Sequence, residues 1–331
     1  MNGQSLFTTD SIINTLQKIV ANRVIIDRIL KIAIALGLLI FLVGYISVTE
    51  ITAAFSGANY SYILYASLLS LVNILLQAYK WKLVINLSLG EISFMRVLGS
   101  YFSGISSGLS TPARIGEFIG RAIPLKEFNF FDVTIVSFID KIINMLVITF
   151  FGSIASVLFY RTLNSSHFYV DMPLLISIIV IFSLLIYLLF TNGFFVAIIR
   201  RKFKSNEKVL NKIKIVDKFL SQSYKGKIKI FSINVLFLFV ILLQFALLVN
   251  AFAEFSNYYQ LMIIASLILF ATTVVLPFSF GDLGVREGAA SYLIALVGLA
   301  PAIGFNSALV LFVVNVILPA IIGLLFLIKK K

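Results

Sequence analysis

Apolar stretches long enough to cross a bilayer recur along this chain from residue 32 to the C-terminus. A hydrocarbon core of about 30 Å needs about 20 apolar residues in helical form. In lipid the backbone must satisfy its own hydrogen bonds, so the spanning elements have to be helices or a closed barrel. The runs here are too long for strands, and the fold class expected is all-α, a polytopic membrane protein. Composition agrees: 60% of the 331 residues are hydrophobic and only 12% charged, against about a quarter charged in ordinary globular chains. Little sequence remains for a soluble catalytic domain.

The net charge of +13 is compatible with nucleic acid, but its placement points to a membrane. Basic residues crowd into the leader (Lys18, Arg23, Arg28, Lys31), the start of 80–97, the segment 200–229 and the tail Lys329–Lys331. The stretches 49–60 and 253–259 contain none, and 160–172 contains only Arg161. Retained basic residues mark the cytoplasmic side. Both termini and the 200–229 loop are therefore expected inside, with anionic lipid headgroups as partners and no nucleic acid. The localisation expected is a bacterial or archaeal cytoplasmic membrane.

Full spans that satisfy this map are 32–48, 61–79, 131–160, 173–199, 230–252 and 304–328, six crossings in all. The leader 1–31 spaces Ile12, Ile13, Leu16, Ile19 and Val20 as a helix lying on the membrane surface would. Residues 329–331 form a cytoplasmic tail. Absence of Cys and a single His167 leave no metal site of the usual kind, and no cofactor is expected.

Two stretches, 92–130 and 260–300, do not read as simple spans. Each is apolar, breaks at a Pro and Gly-rich point carrying charges, and resumes. If each contributed a single crossing, the 200–229 loop would land outside, so each is expected to be a re-entrant hairpin, tolerated where irregular backbone is shielded by protein or water. The breaks match each other: Pro112, Gly116, Glu117 and Arg121 have the spacing of Pro277, Gly281, Asp282 and Arg286. With three crossings between them, the hairpins enter from opposite faces. That predicts inverted repeats, about 61–160 and 230–328, the architecture on which many transporters build a midplane site.

The chemistry of the motif follows. Proline ends the incoming helix, and Gly116, Gly281 and Gly284 allow an unusual backbone at the tip. The outgoing helix then presents free N–H groups, which attract anions. Glu117–Arg121 and Asp282–Arg286 are acid-first i,i+4 pairs, with Arg114 and Glu287 beside them and Asp140 interrupting the 131–160 span. One reading is structural neutralisation. The other is an Arg fork holding a phosphate while carboxylates fix the Arg. Lys141 is expected to snorkel toward the cytoplasm, while Asn73, Gln77, Gln244 and Asn250 read as helix–helix hydrogen-bonding groups.

STPARIGEFIGRA and LPFSFGDLGVREGA resemble the signature regions of the lysylphosphatidylglycerol synthase transmembrane-region family, flippase-like integral membrane proteins of bacteria and archaea. The resemblance covers about 30–328 and rests on Pro112, Arg114, Gly116, Glu117 and Arg121, then Pro277, Gly281, Gly284, Arg286, Glu287 and Gly288. Members often carry Gly where this chain has Ala113, and more Gly around Phe278–Phe280. Some relatives are fused to a domain that adds lysine to phosphatidylglycerol. Here the sequence stops at Lys331, so the resemblance implies the lipid-translocating half without the synthase. The expected function is movement of a phosphate-headgroup lipid (a phospholipid, an aminoacyl-phospholipid or a polyprenyl-phosphate-linked sugar) between leaflets, with no catalytic residue. Substrate-binding candidates are Arg114, Glu117, Arg121, Asp140, Asp282, Arg286 and Glu287. The alternatives are a membrane-embedded transferase on lipid-linked substrates and a non-catalytic partner of a separately encoded lipid-modifying enzyme.

Overall fold

A computed structural model describes residues 48–109, 111, 114–163, 168–190, 207–275 and 284–328. The leader, most of the 32–48 span, Pro112, Pro277, Gly281, Asp282, His167 and the tail lie outside these residues. Every regular element described is helical: α1 (Val48–Ser56), α2 (Tyr60–Ser88), α3 (Phe94–Leu109), α4 (Gly116–Ala122), α5 (Phe130–Leu163), α6 (Phe168–Phe190), α7 (Glu207–Leu220), α8 (Tyr224–Phe252), α9 (Tyr258–Val275), α10 (Val285–Ala295), α11 (Pro301–Phe312) and α12 (Leu318–Ile328), the last two joined by a π-helical turn, Val313–Ile317.

Four helices are long and apolar enough to cross a membrane: Tyr60–Ser88, Phe130–Leu163, Tyr224–Phe252 and Pro301–Leu327. They correspond to four of the six expected spans. A fifth, 173–199, is described only as far as Phe190. Side-chain placement settles what surrounds the bundle. Along α2 the stripe Leu64, Leu68, Leu71 and Leu75 is exposed, while Ser70, Asn73, Gln77 and Lys80 are buried. On α8, Leu236 and Phe239 face outward and Asn234 and Gln244 inward. Apolar outside and polar inside is the reverse of a soluble protein, and it is stable only where the outer medium is itself apolar. The chain is a membrane protein.

Two expectations about boundaries change. The second span was expected to stop before Lys80, yet α2 continues through it to Ser88. Lys80 is 1% exposed and satisfied from within, donating to Asn234 Oδ1 at 3.1 Å, so its charge does not end the helix. The 200–229 loop contains α7, which buries Phe219 beside Ile215 and Leu220 in an apolar cluster with Trp81, Ile85 and Val133. Lys218 Nζ of α7 donates to the carbonyl of Leu89 at 3.4 Å, tying this basic helix to the end of α2.

Helices α2 and α8 run antiparallel as the central pair. The Asn59 amide donates to Ala251 O at one end (2.7 Å), and a side chain at Gly226 would meet Leu87 at the other. Helix α3 therefore starts from the 88/224 end of the bundle and α9 from the 60/252 end. After α3 the chain reverses. Gly116 and Gly120 of α4 lie so close to Ser107 and Ser103 of α3 that a β-carbon at either would strike a backbone carbonyl. Small residues of this kind let helices approach backbone to backbone.

Element order and packing both recur. A long helix, a helix of 16 or 18 residues, a break, a short helix and a long helix follow one another twice, as α2–α5 and as α8–α12. Helix α3 packs on α4 and on α12, the last helix of the other set; α9 packs on α10 and on α5, likewise the last helix of the other set. Helix α4 lies on α5 as α10 lies on α11.

Candidate functional site

Helices α2, α4 and α5 bring four charged groups to one buried point. Asp140 stands ten residues into α5 and Lys80 eight residues before the end of α2, depths of about 15 and 12 Å from the same end at 1.5 Å per residue. Their side chains meet at 3.0 Å, Lys80 Nζ to Asp140 Oδ1. The other carboxylate oxygen accepts from Arg121 Nη1 at 2.8 Å, and Arg121 Nη2 donates to Glu117 Oε1 at 2.6 Å. Charge thus alternates along Lys80, Asp140, Arg121 and Glu117. Such a network is tolerated in a low-dielectric interior only when each ion has close, hydrogen-bonded partners.

Aromatic and hydroxyl groups hold Arg121 in place. Its guanidinium lies 4.7 Å from the centre of the Trp81 ring, a favourable position for a cation over a π-face. Trp81 Nε1 donates to Ser100 Oγ at 3.0 Å, and Ser100 Oγ donates to the Arg121 carbonyl at 2.6 Å. Arg121 is therefore a fixed strut, and α4 is locked onto α3 through it.

Two further cations approach the same acid more loosely. Arg114 Nε and Lys141 Nζ lie 3.8 and 3.9 Å from Glu117 Oε2, beyond hydrogen-bond length. Lys141 lines the cavity together with Arg114. Arg114 itself has φ +55°, a left-handed backbone that L-residues other than glycine rarely adopt and that usually persists where the surroundings impose it. It is the first described residue after Pro112 and sits at the turn of the hairpin.

The second break contributes Arg286. Gly284, with φ +81°, precedes α10, and its amide donates to Glu287 Oε2 at 2.8 Å. Glu287 so caps its own helix start, an acid serving the orphan N–H groups there. The Arg286 guanidinium lies over the Phe312 ring, 4.8 Å from its centre. It also lines an internal cavity whose other wall carries Arg114 and Lys141.

That cavity has two adjoining lobes of about 160 and 150 Å³. Arg114, Lys141, Asn144 and Asn315 border both. One lobe reaches Thr272, Thr273 and Arg286; the other reaches Lys80, Tyr101, Glu117, Arg121 and Asp140. Asn315 stands in the π-helical turn, a local widening that often marks functional positions. It is gripped by Asn73 and Gln244, with Asn315 Nδ2 donating to Gln244 Oε1 and Asn73 Nδ2 to Asn315 Oδ1, both at 3.2 Å. Asn73 also donates to Gln244 across the α2–α8 seam.

A match over most of the chain fits this arrangement. The family described as lysylphosphatidylglycerol synthase TM region matches residues 28–323. The chain belongs to that family. Comparison with curated proteins finds no match.

Of the residues singled out in this family member by sequence, the structure brings Arg114, Glu117, Arg121, Asp140 and Arg286 to the two lobes. Glu287 turns away to Gly284, and Gly116 serves close packing. Pro112, Pro277, Gly281 and Asp282 lie outside the described residues. Sequence reasoning passed over Lys80, Trp81 and Asn315. For Lys80 a signal existed: Asn73, Gln77 and Lys80 follow at i, i+4 and i+7, one polar stripe in an apolar helix. Nothing in the sequence marked Trp81 or Asn315 beyond an isolated aromatic and an isolated amide.

Proposed function

We propose that this protein moves a phosphate-headgroup lipid between the two leaflets of a cytoplasmic membrane, with both termini on the cytoplasmic side. In this reading the segments α3–α4 and α9–α10 are re-entrant hairpins of two inverted repeats. Their starts at opposite ends of the α2–α8 pair and the exchanged packing of α3 on α12 and α9 on α5 support it. The observation that carries the reading is that Arg114 and Arg286, one from each break, line a single cavity. Guanidinium groups grip phosphate bidentately, and two of them from opposite repeats provide one grip per access state. Rocking of one repeat against the other would expose the site to each leaflet in turn. The headgroup's chains would remain against the apolar outer faces.

Purified protein in proteoliposomes carrying a fluorescent phospholipid gives the test. The expected result is protein-dependent loss of leaflet asymmetry that falls at least about tenfold in Arg114→Gln/Arg286→Gln, a loss equivalent to about 1.4 kcal/mol or more, with unfolding midpoint unchanged within error. Undiminished translocation in the double variant would remove the proposed grip. The orientation is read separately. The chain has no cysteine, so single cysteines at Ser93 and Asn257, the residues just before α3 and α9, should react with an impermeant maleimide from opposite sides. Labelling of both from one side ends the inverted-repeat reading.

A further inference from the structure

Of the amides expected to bind helix to helix, Asn73 and Gln244 close the α2–α8 seam, and Asn250 accepts from the Phe255 amide at 3.0 Å. Gln77 behaves differently. It is 8% exposed, its side chain makes no hydrogen bond among the described residues, and it borders the lobe of about 150 Å³. Asn144 of α5 and Tyr101 of α3 border the same lobe, and among the described residues their amide and hydroxyl groups make no hydrogen bond either. Asn73 adds an acceptor to this wall. Gln244 Nε2 donates to the Ala66 carbonyl at 2.7 Å, which turns Gln244 Oε1 toward Asn73. Asn73 must then present Nδ2, and its Oδ1 is left without a partner. Gln77 stands eleven residues before the end of α2 and Asn144 fourteen residues into α5, depths of about 17 and 21 Å at 1.5 Å per residue. These groups form a layer one turn deeper than the Lys80–Asp140 pair. Buried polar groups are nearly always hydrogen-bonded, and leaving one unmet is costly. Several around one lobe point to a ligand that meets them.

We infer that this layer reads hydroxyl groups: the ligand is a lipid whose phosphate carries a polyol with neighbouring hydroxyls, and Gln77, Asn144 and Tyr101 set that specificity. The phosphate grip and the movement rest on the translocation reading; the preference for hydroxyls stands on the lobe itself. A primary amide offers a donor and an acceptor side by side. A phosphate oxygen only accepts, an ammonium only donates, and an alkyl group does neither. A hydroxyl does both, so two neighbouring hydroxyls satisfy the two halves of one amide together. Glycerol, cyclitol and sugar headgroups share this chemistry. Arg114 borders both lobes, which sets the phosphate and polyol sites side by side. Met145, Ile148, Leu269 and Leu311 border the Arg286 lobe and give acyl chains a surface that a free polyol phosphate cannot use.

Binding and movement are measured apart. The shift in unfolding midpoint of the detergent-purified protein is titrated with dihexanoyl phosphatidylglycerol, dihexanoyl phosphatidylinositol, dihexanoyl phosphatidylpropanol and glycerol 3-phosphate. Phosphatidylpropanol has the charge and carbon count of phosphatidylglycerol and lacks both headgroup hydroxyls. Phosphatidylglycerol, phosphatidylinositol or both should stabilise at concentrations about tenfold or more below phosphatidylpropanol, the equivalent of one or two hydrogen bonds. Glycerol 3-phosphate should act more weakly than phosphatidylglycerol. Gln77→Leu/Asn144→Leu should bring the preferred lipid to the level of phosphatidylpropanol. Tyr101→Phe, which removes one hydroxyl and leaves the ring, should narrow the gap several-fold and provides the same test should the double variant not fold. Phosphatidylpropanol equal to both polyol lipids, or no stabilisation by any of them, overturns the inference and means that water fills the lobe. A preference that survives in the folded variants removes the three residues as its source. Glycerol 3-phosphate acting as well as phosphatidylglycerol overturns the lipid part. Hydroxyl-selective binding without translocation in proteoliposomes leaves this inference standing and removes the transport reading; equal binding and equal translocation of all three lipids does the reverse.

Discussion

Asp140→Ala lowers the stability of the folded protein by about 3–5 kcal/mol, the usual cost of removing one partner from a buried ion pair. Asp140 is 3% exposed and, among the described residues, is the one carboxylate paired with both Lys80 and Arg121. Without it Lys80 keeps, among the described residues, the amide oxygen of Asn234, and of the two buried cations Arg121 alone keeps a bonded carboxylate, Glu117. Removing the charges together has a different effect. Lys80→Met/Asp140→Leu replaces the pair with apolar groups of similar size and should recover much of the loss, since a buried pair against its hydrophobic isostere is often near neutral. Unfolding midpoints of the detergent-purified variants decide it. A loss below about 1 kcal/mol for the single variant, with no recovery in the double, would mean that water reaches the pair and screens it.

Gly120→Leu is expected to destabilise by about 3 kcal/mol, the upper end for overpacking. The strain arises because a β-carbon there would sit on the Ser103 carbonyl and on the Ser107 side chain. The carbonyl belongs to α3 and cannot rotate away, so α4 must move. That shift drags Arg121, one residue on, out of register with Glu117 and Asp140. The variant should therefore also lose the protection that burial gives Trp81, read as a red shift and stronger quenching of the single tryptophan's fluorescence. Gly57→Ala is the control: its β-carbon would meet only the Ala53 carbonyl at 3.8 Å, and its effect should stay within about 0.5 kcal/mol. An unchanged midpoint in Gly120→Leu would show that α3 and α4 can separate freely.

Much of the bundle was readable beforehand, and the failures have specific causes. The long apolar runs located α2, α5, α8 and the α11–α12 helix because backbone satisfaction in lipid leaves few alternatives. Lys80 departs from the local pattern because a charge ends a span only where nothing inside the bundle satisfies it. Whether it terminates depends on a partner 60 residues away, which no local pattern reports. Lys141, which the sequence leaves as a charge inside a span, lines the cavity near Glu117 for the same reason. For α7, the abundance of lysines hid an apolar face, Ile215 with Phe219 and Leu220, that only the bundle's end makes use of.

The sequence alone determined that this is a helical membrane protein of the lysylphosphatidylglycerol synthase TM region family, that it has two matched breaks, and that Glu117 and Arg121 pair within one short helix. Those features are local: hydropathy over about 20 residues, a Pro–Gly interruption, and an i,i+4 spacing. Tertiary structure decided which charges meet in space. Asp140 closes on Lys80 and Arg121, Glu287 closes on its own helix start, and Arg114, Lys141 and Arg286 come together from three distant segments. Electrostatic energy depends on separation in space, and chain distance says nothing of that until the helices pack.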